Sequence, residues 1–261
     1  MLDIGIRTDF VDLPEVARLG YGYVELPLSA LSVLPESDFT ELKAYIEACG
    51  IRVYSVCDLL PEDLPVTGQG VNATALHGYL HQALGRAHLL GAKVAVLDAP
   101  ASRRVGAEEV YPFAWRQLGN FLRLAQGHAR DWDIVIAVEP VRTSDRGLLN
   151  LVSEATLITG LLQLSHIAVC AHWGQMSMAS EPMGTLRRTG ALLRHVRVEN
   201  ALTRTLPRAG DGEDYTRLTS VLEDMGYAGG ITLCGEITDR FPREAGEALS
   251  CMQTILQRGA L

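Results

Sequence analysis

The chain has 261 residues, 48% hydrophobic and 21% charged, an ordinary globular composition with material for a sizeable core. A formal net charge of −8 argues against a protein that tracks nucleic-acid phosphates, which needs a basic stripe. The five cysteines, odd in number and without CxxC spacing, exclude a disulfide scaffold and a zinc ribbon and fit a reducing, cytoplasmic compartment.

Leu2 to Ile6 reads as a first strand, ending at Arg7 and Asp9, followed by a short helix from Pro14 closed at Gly20. Tyr21 to Glu25 is the second strand. Ser37 is a candidate N-cap for a helix carrying Phe39, Leu42, Tyr45, Ile46 and Cys49, with Gly50 at its end. The third strand is Ile51 to Cys57, with Asp58 just past it. A helix with Leu76, Leu80, Leu84, Ala87 and Leu90 on one face ends at Gly91, and Lys93 to Asp98 is the fourth strand. The spacing then predicts a long helix from about Ala107 to Arg130 and a β-branched strand from Ile134 to Glu139, stopped by Pro140. Ser153 is expected to cap a helix through Leu164; Ile167 to His172 is strand six, followed by a helix from about Met183 to Leu193. His195 to Glu199 is strand seven. A helix with Tyr215, Leu218, Val221, Leu222 and Met225 stops at Gly226, strand eight starts at Gly230, and a last helix covers roughly Glu244 to Gln257.

Eight strands alternating with eight helices imply parallel pairing through helical crossovers. That number favours closure into a single-domain (β/α)8 TIM barrel over residues 1–261, a fold of roughly 250 residues. An open Rossmann sheet ranks behind it because no GxGxxG follows the first strand. Met1 to Phe10 lacks the basic region and apolar stretch of a signal peptide. No uncharged apolar run approaches the roughly 18 residues of a membrane span.

In such a barrel the chemistry belongs at the carboxyl ends of the strands. Polar groups recur there: Glu25, Asp58, Asp98, Glu139, His172, Arg197 with Glu199, and Cys234 with Glu236. Period-two alternation puts His195, Arg197 and Glu199 on one face of strand seven, pointing into the mouth, with Val196 and Val198 toward the helices. Burying so many ionisable groups is costly unless they pair with each other, a metal or a ligand. Structural salt bridges, for instance Arg197 with Glu139 or Glu236, are the competing reading.

The order of Gly20-Tyr-Gly-Tyr-Val-Glu-Leu26, Leu90-Gly-Ala-Lys-Val94, Ile136-Ala-Val-Glu-Pro140, Asn150, Ile167 to Gln175 and His195 to Glu236 resembles the xylose isomerase-like TIM-barrel superfamily. This is the sugar phosphate isomerase/epimerase group related to endonuclease IV. The resemblance implies one divalent metal (Mn, Mg or Zn) held by a glutamate, an aspartate, a histidine and a second glutamate, with the two glutamates moving protons. Glu139 matches the first glutamate. His172 and Gln175 stand where the motif after strand six has aspartate and histidine, Arg197 stands on the strand-seven histidine, and Cys234 on the last glutamate. A guanidinium cannot ligate a cation, so any metal kept here would rest on Glu139, His172 and Cys234.

The expected activity is therefore that of a sugar isomerase or epimerase, or a related lyase, acting by proton transfer on a small polyol, keto-sugar or hydroxy acid. Glu139, Glu236, His172 and Arg197 are the candidate catalytic residues. Glu25, Gln175, Glu199, Trp173 and Arg204 are candidates for substrate binding. The alternative is a barrel without catalysis that binds a small anionic or sugar-like ligand, or a partner protein. The expected partner is a small molecule, with neither nucleic acid nor membrane; association into a homodimer is a further expectation from the resemblance. Arg204, Arg208 and the amides of the loop to Gly212 are a candidate phosphate cradle. His77, His81, His88 and His128 fall on predicted helices and read as surface or packing histidines.

Overall fold

The computed structural model describes residues 2–106, 108–141 and 147–259. Eight parallel strands follow one another around a closed barrel, and β1 (Ile4–Arg7) pairs with both β2 (Tyr23–Pro27) and β8 (Gly230–Leu233). Between them lie β3 (Val53–Cys57), β4 (Val94–Leu97), β5 (Val135–Val138), β6 (Ile167–His172) and β7 (Leu193–Val198). The helical shell consists of α1 (Leu13–Leu19), α2 (Leu28–Ser32), α3 (Glu36–Cys49), α4 (Ala73–Leu89), α5 (Tyr111–Asp131), α6 (Val152–Leu162), α7 (Trp173–Met178), α8 (Gly184–Thr189), α9 (Thr216–Asp224) and α10 (Phe241–Gly259). This is the single-domain (β/α)8 fold that the alternation predicts. No helix among the described residues is long and apolar enough to cross a membrane.

The strands are short apolar runs because both faces are covered, one by helices and one by the barrel interior. Leu26, Val56, Leu97, Val138, Val169, Val196 and Leu233 belong to the large cluster shared with the helices. Inside, Cys57, Val94, Val96, Ala137 and Cys170 fill the side of β3 to β6. The other side is polar. Tyr23 bonds Thr232 (2.9 Å), Thr232 meets His195 Nε2 (3.0 Å), and His195 Nε2 meets Glu25 Oε2 (2.9 Å), with Ser55 donating to the same oxygen. Tyr23 reaches Thr232 by crossing β1 at Gly5, where a Cβ would fall 2.2 Å from the phenol ring. The barrel interior is thus split lengthwise into an apolar half and a hydrogen-bonded half.

Several boundaries differ from the sequence reading. At α3 the N-cap position is Pro35, whose carbonyl accepts the Phe39 N–H, and the Ser37 hydroxyl donates to Asp38 instead. Ser153 lies within the first turn of α6. The carboxylate of Glu181 accepts the Val152 and Ser153 amides, and Glu154 accepts those of Asn150 and Leu151. The long helix starts at Tyr111 with Pro112 in its first turn; Ala107, its expected start, lies outside the described residues. The helix expected through Leu193 ends at Thr189, and β7 begins at Leu193 rather than His195. The short helices α2 and α7 follow their strands directly, without a linking loop to signal them.

Candidate active site at the carboxyl end of the barrel

A cavity of about 390 Å³ opens at the carboxyl ends of the strands, lined by Arg7, Asp58, Asp98, Glu139, Val141, His172, Gln175, Arg197, Glu199, Arg204, Cys234, Gly235 and Glu236. The lining is almost wholly polar, so a ligand is held here by hydrogen bonds and charge. A volume of this order suits a small metabolite.

Arg197 is the centre of the site. Alternation on β7 turns it inward, its guanidinium is nearly buried, and three carboxylates from three strands converge on it. Nη1 donates to Asp98 Oδ2 at 2.8 Å and Glu139 Oε2 at 3.1 Å, and Nε is ion-paired with Glu25 Oε1 at 3.1 Å. Nη2 has no hydrogen bond to any described residue, while the guanidinium borders the cavity. Burial lowers the basicity of Arg197, but Glu139 and Glu25 outweigh it and hold the group firmly protonated. Such an arrangement stores a fixed positive charge in a site of low dielectric.

The carboxylates respond differently. Burial would raise Glu25, yet Arg197 and His195 hold it down to about 2. Glu139 is likewise kept below its usual value by Arg197 and His172 despite burial. Burial pushes Asp98 up to about 7, with Arg197 opposing and Asp58 adding to the rise. Glu199 is also raised to about 7, by burial, against the pull of Arg204, whose Nη1 lies 2.5 Å from Glu199 Oε1. Two carboxyls on the cavity wall, just past the ends of β4 and β7, are thus each raised to about 7. His172 is driven down to about 4 by burial and is neutral at neutral pH.

Local structure explains the placements. Gly174, in the first turn of α7, leaves room for Glu199: a Cβ there would lie 2.7 Å from Glu199 Cγ. Asn200 accepts the amides of Leu202 and Thr203, closing a turn that brings Arg204 back over Glu199. Arg204 and Asp58, both on the cavity wall, adopt left-handed backbone with φ of 61° and 51°. For non-glycine residues that costs on the order of 1 kcal/mol or more, strain of the kind found at functional sites. Arg103, fully buried, donates to the carbonyls of Leu97, Glu139 and Leu148 and so anchors the ends of β4 and β5.

Of the residues singled out in the sequence, Glu139, His172, Gln175, Arg197, Glu199, Arg204 and Glu236 all reach the cavity. Glu236 does so from an exposed rim position, its amide bound to the Arg204 carbonyl. Glu25 lies beneath Arg197, fully buried and outside the lining. Trp173 also lies outside it, packed on Tyr215 with Nε1 donating to Glu213. The loop to Gly212 is no phosphate cradle: its own Asp211 accepts the Arg208 and Glu213 amides and the Tyr215 hydroxyl. Asp98, Asp58 and Arg7 join the site although the sequence reading assigned them no role beyond strand-end position. Their signal was that position alone.

The metal set implied by the resemblance does not fit these side chains. Arg197, which the resemblance sets on the strand-seven ligand, engages Glu139 directly, so a cation there would meet a fixed positive charge. The carboxylate whose oxygen lies within 4.8 Å of the ligand atoms of both His172 and Cys234 is that of Glu199. His172 Nδ1 accepts the Gln175 N–H, which leaves the ring proton on Nε2, 3.5 Å from Cys234 Sγ and 3.8 Å from Glu199 Oε1. Burial keeps the Cys234 thiol protonated. Of the trio, His172 and Cys234 are within hydrogen-bond reach, and Glu199 stands beyond it.

The sequence matches the family model of the xylose isomerase-like TIM barrel over residues 13–255. The chain belongs to the xylose isomerase-like TIM-barrel family. No curated protein matches it in sequence. Among solved structures, this xylose isomerase-like barrel superposes on D-psicose 3-epimerase from Clostridium cellulolyticum H10, crystallised with D-tagatose, with a TM-score of 0.84, 16% identity and coverage of 98% of this chain and 99% of that one. It is similar also to 3-keto-D-glucoside 4-epimerase from E. coli (TM-score 0.80, 17% identity, 97% and 100% coverage). An AP endonuclease of family 2 from Brucella melitensis matches as well (TM-score 0.79, 16% identity, 94% and 96% coverage). At these identities the likeness is one of fold.

Proposed function

We propose that this barrel is an isomerase or epimerase that moves a proton at a carbon next to the carbonyl of a small keto-sugar, polyol-derived ketone or hydroxy acid. One observation carries the reading: a buried guanidinium, held by three carboxylates, borders the cavity where the resemblance expects a metal ligand. Sugar epimerases among the proteins of like fold support the same direction.

In this reading the substrate oxygen accepts hydrogen bonds from Arg197. The ionised Glu199 carboxylate removes the proton from the adjacent carbon, and the C–H electron pair moves into the carbonyl to give an enediolate. Its negative oxygen faces a preorganised cation, the arrangement that stabilises a developing oxyanion most effectively. The protonated carboxyl of Asp98, the second raised acid on the cavity wall, returns a proton to the opposite face or to the neighbouring carbon. Solvent exchange then restores one ionised and one protonated carboxyl. Arg204 positions Glu199 by ion pairing, neutral His172 lies beside it, Glu139 and Glu25 orient Arg197, and Gln175 and Glu236 contact the substrate. Glu139 and Glu236, the acid/base pair expected from the sequence, thereby give way to Glu199 and Asp98: Glu139 is committed to Arg197, and Glu236 sits at the rim.

The test is NMR-detected deuterium incorporation from D2O, run on a panel of ketopentoses, ketohexoses and hydroxy acids. The wild type is expected to exchange a carbon-bound proton of one of them, and Arg197→Lys to lose about 10²–10³-fold of that rate. Unchanged turnover in Arg197→Ala sinks the reading. The three arginines on the cavity wall (Arg7, Arg197 and Arg204) favour a second one: tight binding of an anionic ligand without exchange would establish a binding protein.

A further inference from the structure

Four of the chain's seven histidines gather in one seam on the helical shell, away from the barrel mouth. His77, His81 and His88 recur on α4 at intervals that share one face, and α5, packed against α4, presents His128 and then Trp132 at its end. His77 Nδ1 lies 2.9 Å from His128 Nε2. The His81 ring leans on Trp132, with centroids 5.6 Å apart, and lies 6.1 Å from the His128 ring. His88 is already committed, its Nδ1 facing the Trp132 carbonyl oxygen at 2.8 Å. Gly85, on the same face, makes room for the indole.

We infer that His77, His81 and His128 form a binding site for a divalent transition metal that prefers imidazole nitrogen, such as Zn2+, Ni2+ or Cu2+. Two neutral imidazoles 2.9 Å apart share one proton between two lone pairs. A metal ion can replace that proton without moving the rings far, because nitrogens bound at about 2.0–2.1 Å to one ion lie roughly 3 Å apart. Histidines four apart on a helix offer both imidazoles to a single ion. His81 is exposed, so its ring is free to swing off Trp132 toward His128 and supply the third nitrogen. The exposed His77 and His81 give the ion access, while the buried His128 fixes it against α5. An all-imidazole set selects these ions over Mg2+ and Ca2+, which take oxygen ligands. Bound there, the ion ties α4 to α5.

The experiment is calorimetric titration of the full chain with ZnCl2, together with Trp132 fluorescence during titration with NiCl2. One Zn2+ per chain is expected, with a rise in Tm and a Ni2+-dependent quench as His81 leaves the indole. His77→Ala and His81→Ala, both at exposed positions, should weaken binding tenfold or more with an unchanged far-ultraviolet spectrum. Cys234→Ser, which disrupts the His172–Glu199–Cys234 group in the cavity, should leave it intact. Absence of binding at millimolar Zn2+, or binding that survives both histidine variants, overturns the inference, as does binding abolished by Cys234→Ser.

Discussion

At Arg197 a single side chain joins the stability of the barrel mouth to the proposed chemistry. Its guanidinium is the shared counter-charge of Glu25, Asp98 and Glu139, so removing it leaves buried carboxylates unpaired. Arg197→Ala is expected to lose about 3–5 kcal/mol at pH 7. Without the cation, the folded-state pKa of each carboxyl rises above its unfolded value. The penalty is then absent below the unfolded pKa and grows as pH increases, so urea unfolding at pH 5 should recover much of the loss. Glu199 gives the opposite trade. Its carboxyl is raised to about 7 from an ordinary 4.5, so the wild type loses stability as pH climbs through that interval. Glu199→Gln should abolish exchange yet be more stable than wild type at pH 8, by on the order of 1–2 kcal/mol after allowance for the lost Arg204 pair; the gain should vanish near pH 4.5.

Elements carry the placement of these groups. The start of α7 directly after β6 sets His172 as its N-cap, with Nδ1 toward the Gln175 amide, and puts Gly174 under Glu199. Gly174→Ala should improve local helix propensity while displacing Glu199. The expected result is a tenfold or greater fall in kcat/KM with Tm held within a few degrees, read by steady-state kinetics and calorimetry on the substrate found in the exchange screen. The caps show why some boundaries escaped a local reading. Ser37 and Ser153 have the right chemistry for an N-cap, but α6 takes its capping carboxylate from Glu181, in a distant turn, as well as from its own Glu154. A propensity rule sees only neighbours in sequence. The glycines at helix ends, Gly20, Gly50, Gly91 and Gly226, were legible because positive φ is a property of the residue itself.

For the whole molecule, the proposed mechanism gives Arg197 the electrostatic part that a metal would otherwise play. Turnover of the eventual substrate should therefore be insensitive to chelators, and dialysis against EDTA should leave kcat unchanged. A chelator-sensitive kcat restored by added Mn2+ or Zn2+ would contradict the role given to Arg197. Barrel closure brings the parts of the site together: β2 and the ends of β4 and β5 each supply one carboxyl around the guanidinium that β7 provides. The strand-end polar groups, the inward face of His195, Arg197 and Glu199, and the eight-fold alternation were readable from periodicity, which is a local signal. Periodicity tells which way a side chain points but not which partners meet it. That Arg197 engages Glu139, that Glu25 lies under the cation and out of the cavity, and that Asp98 and Glu199 are the carboxyls raised to about 7 depend on contacts between distant strands. Burial and pairing set those charges, and both exist only once the barrel has closed.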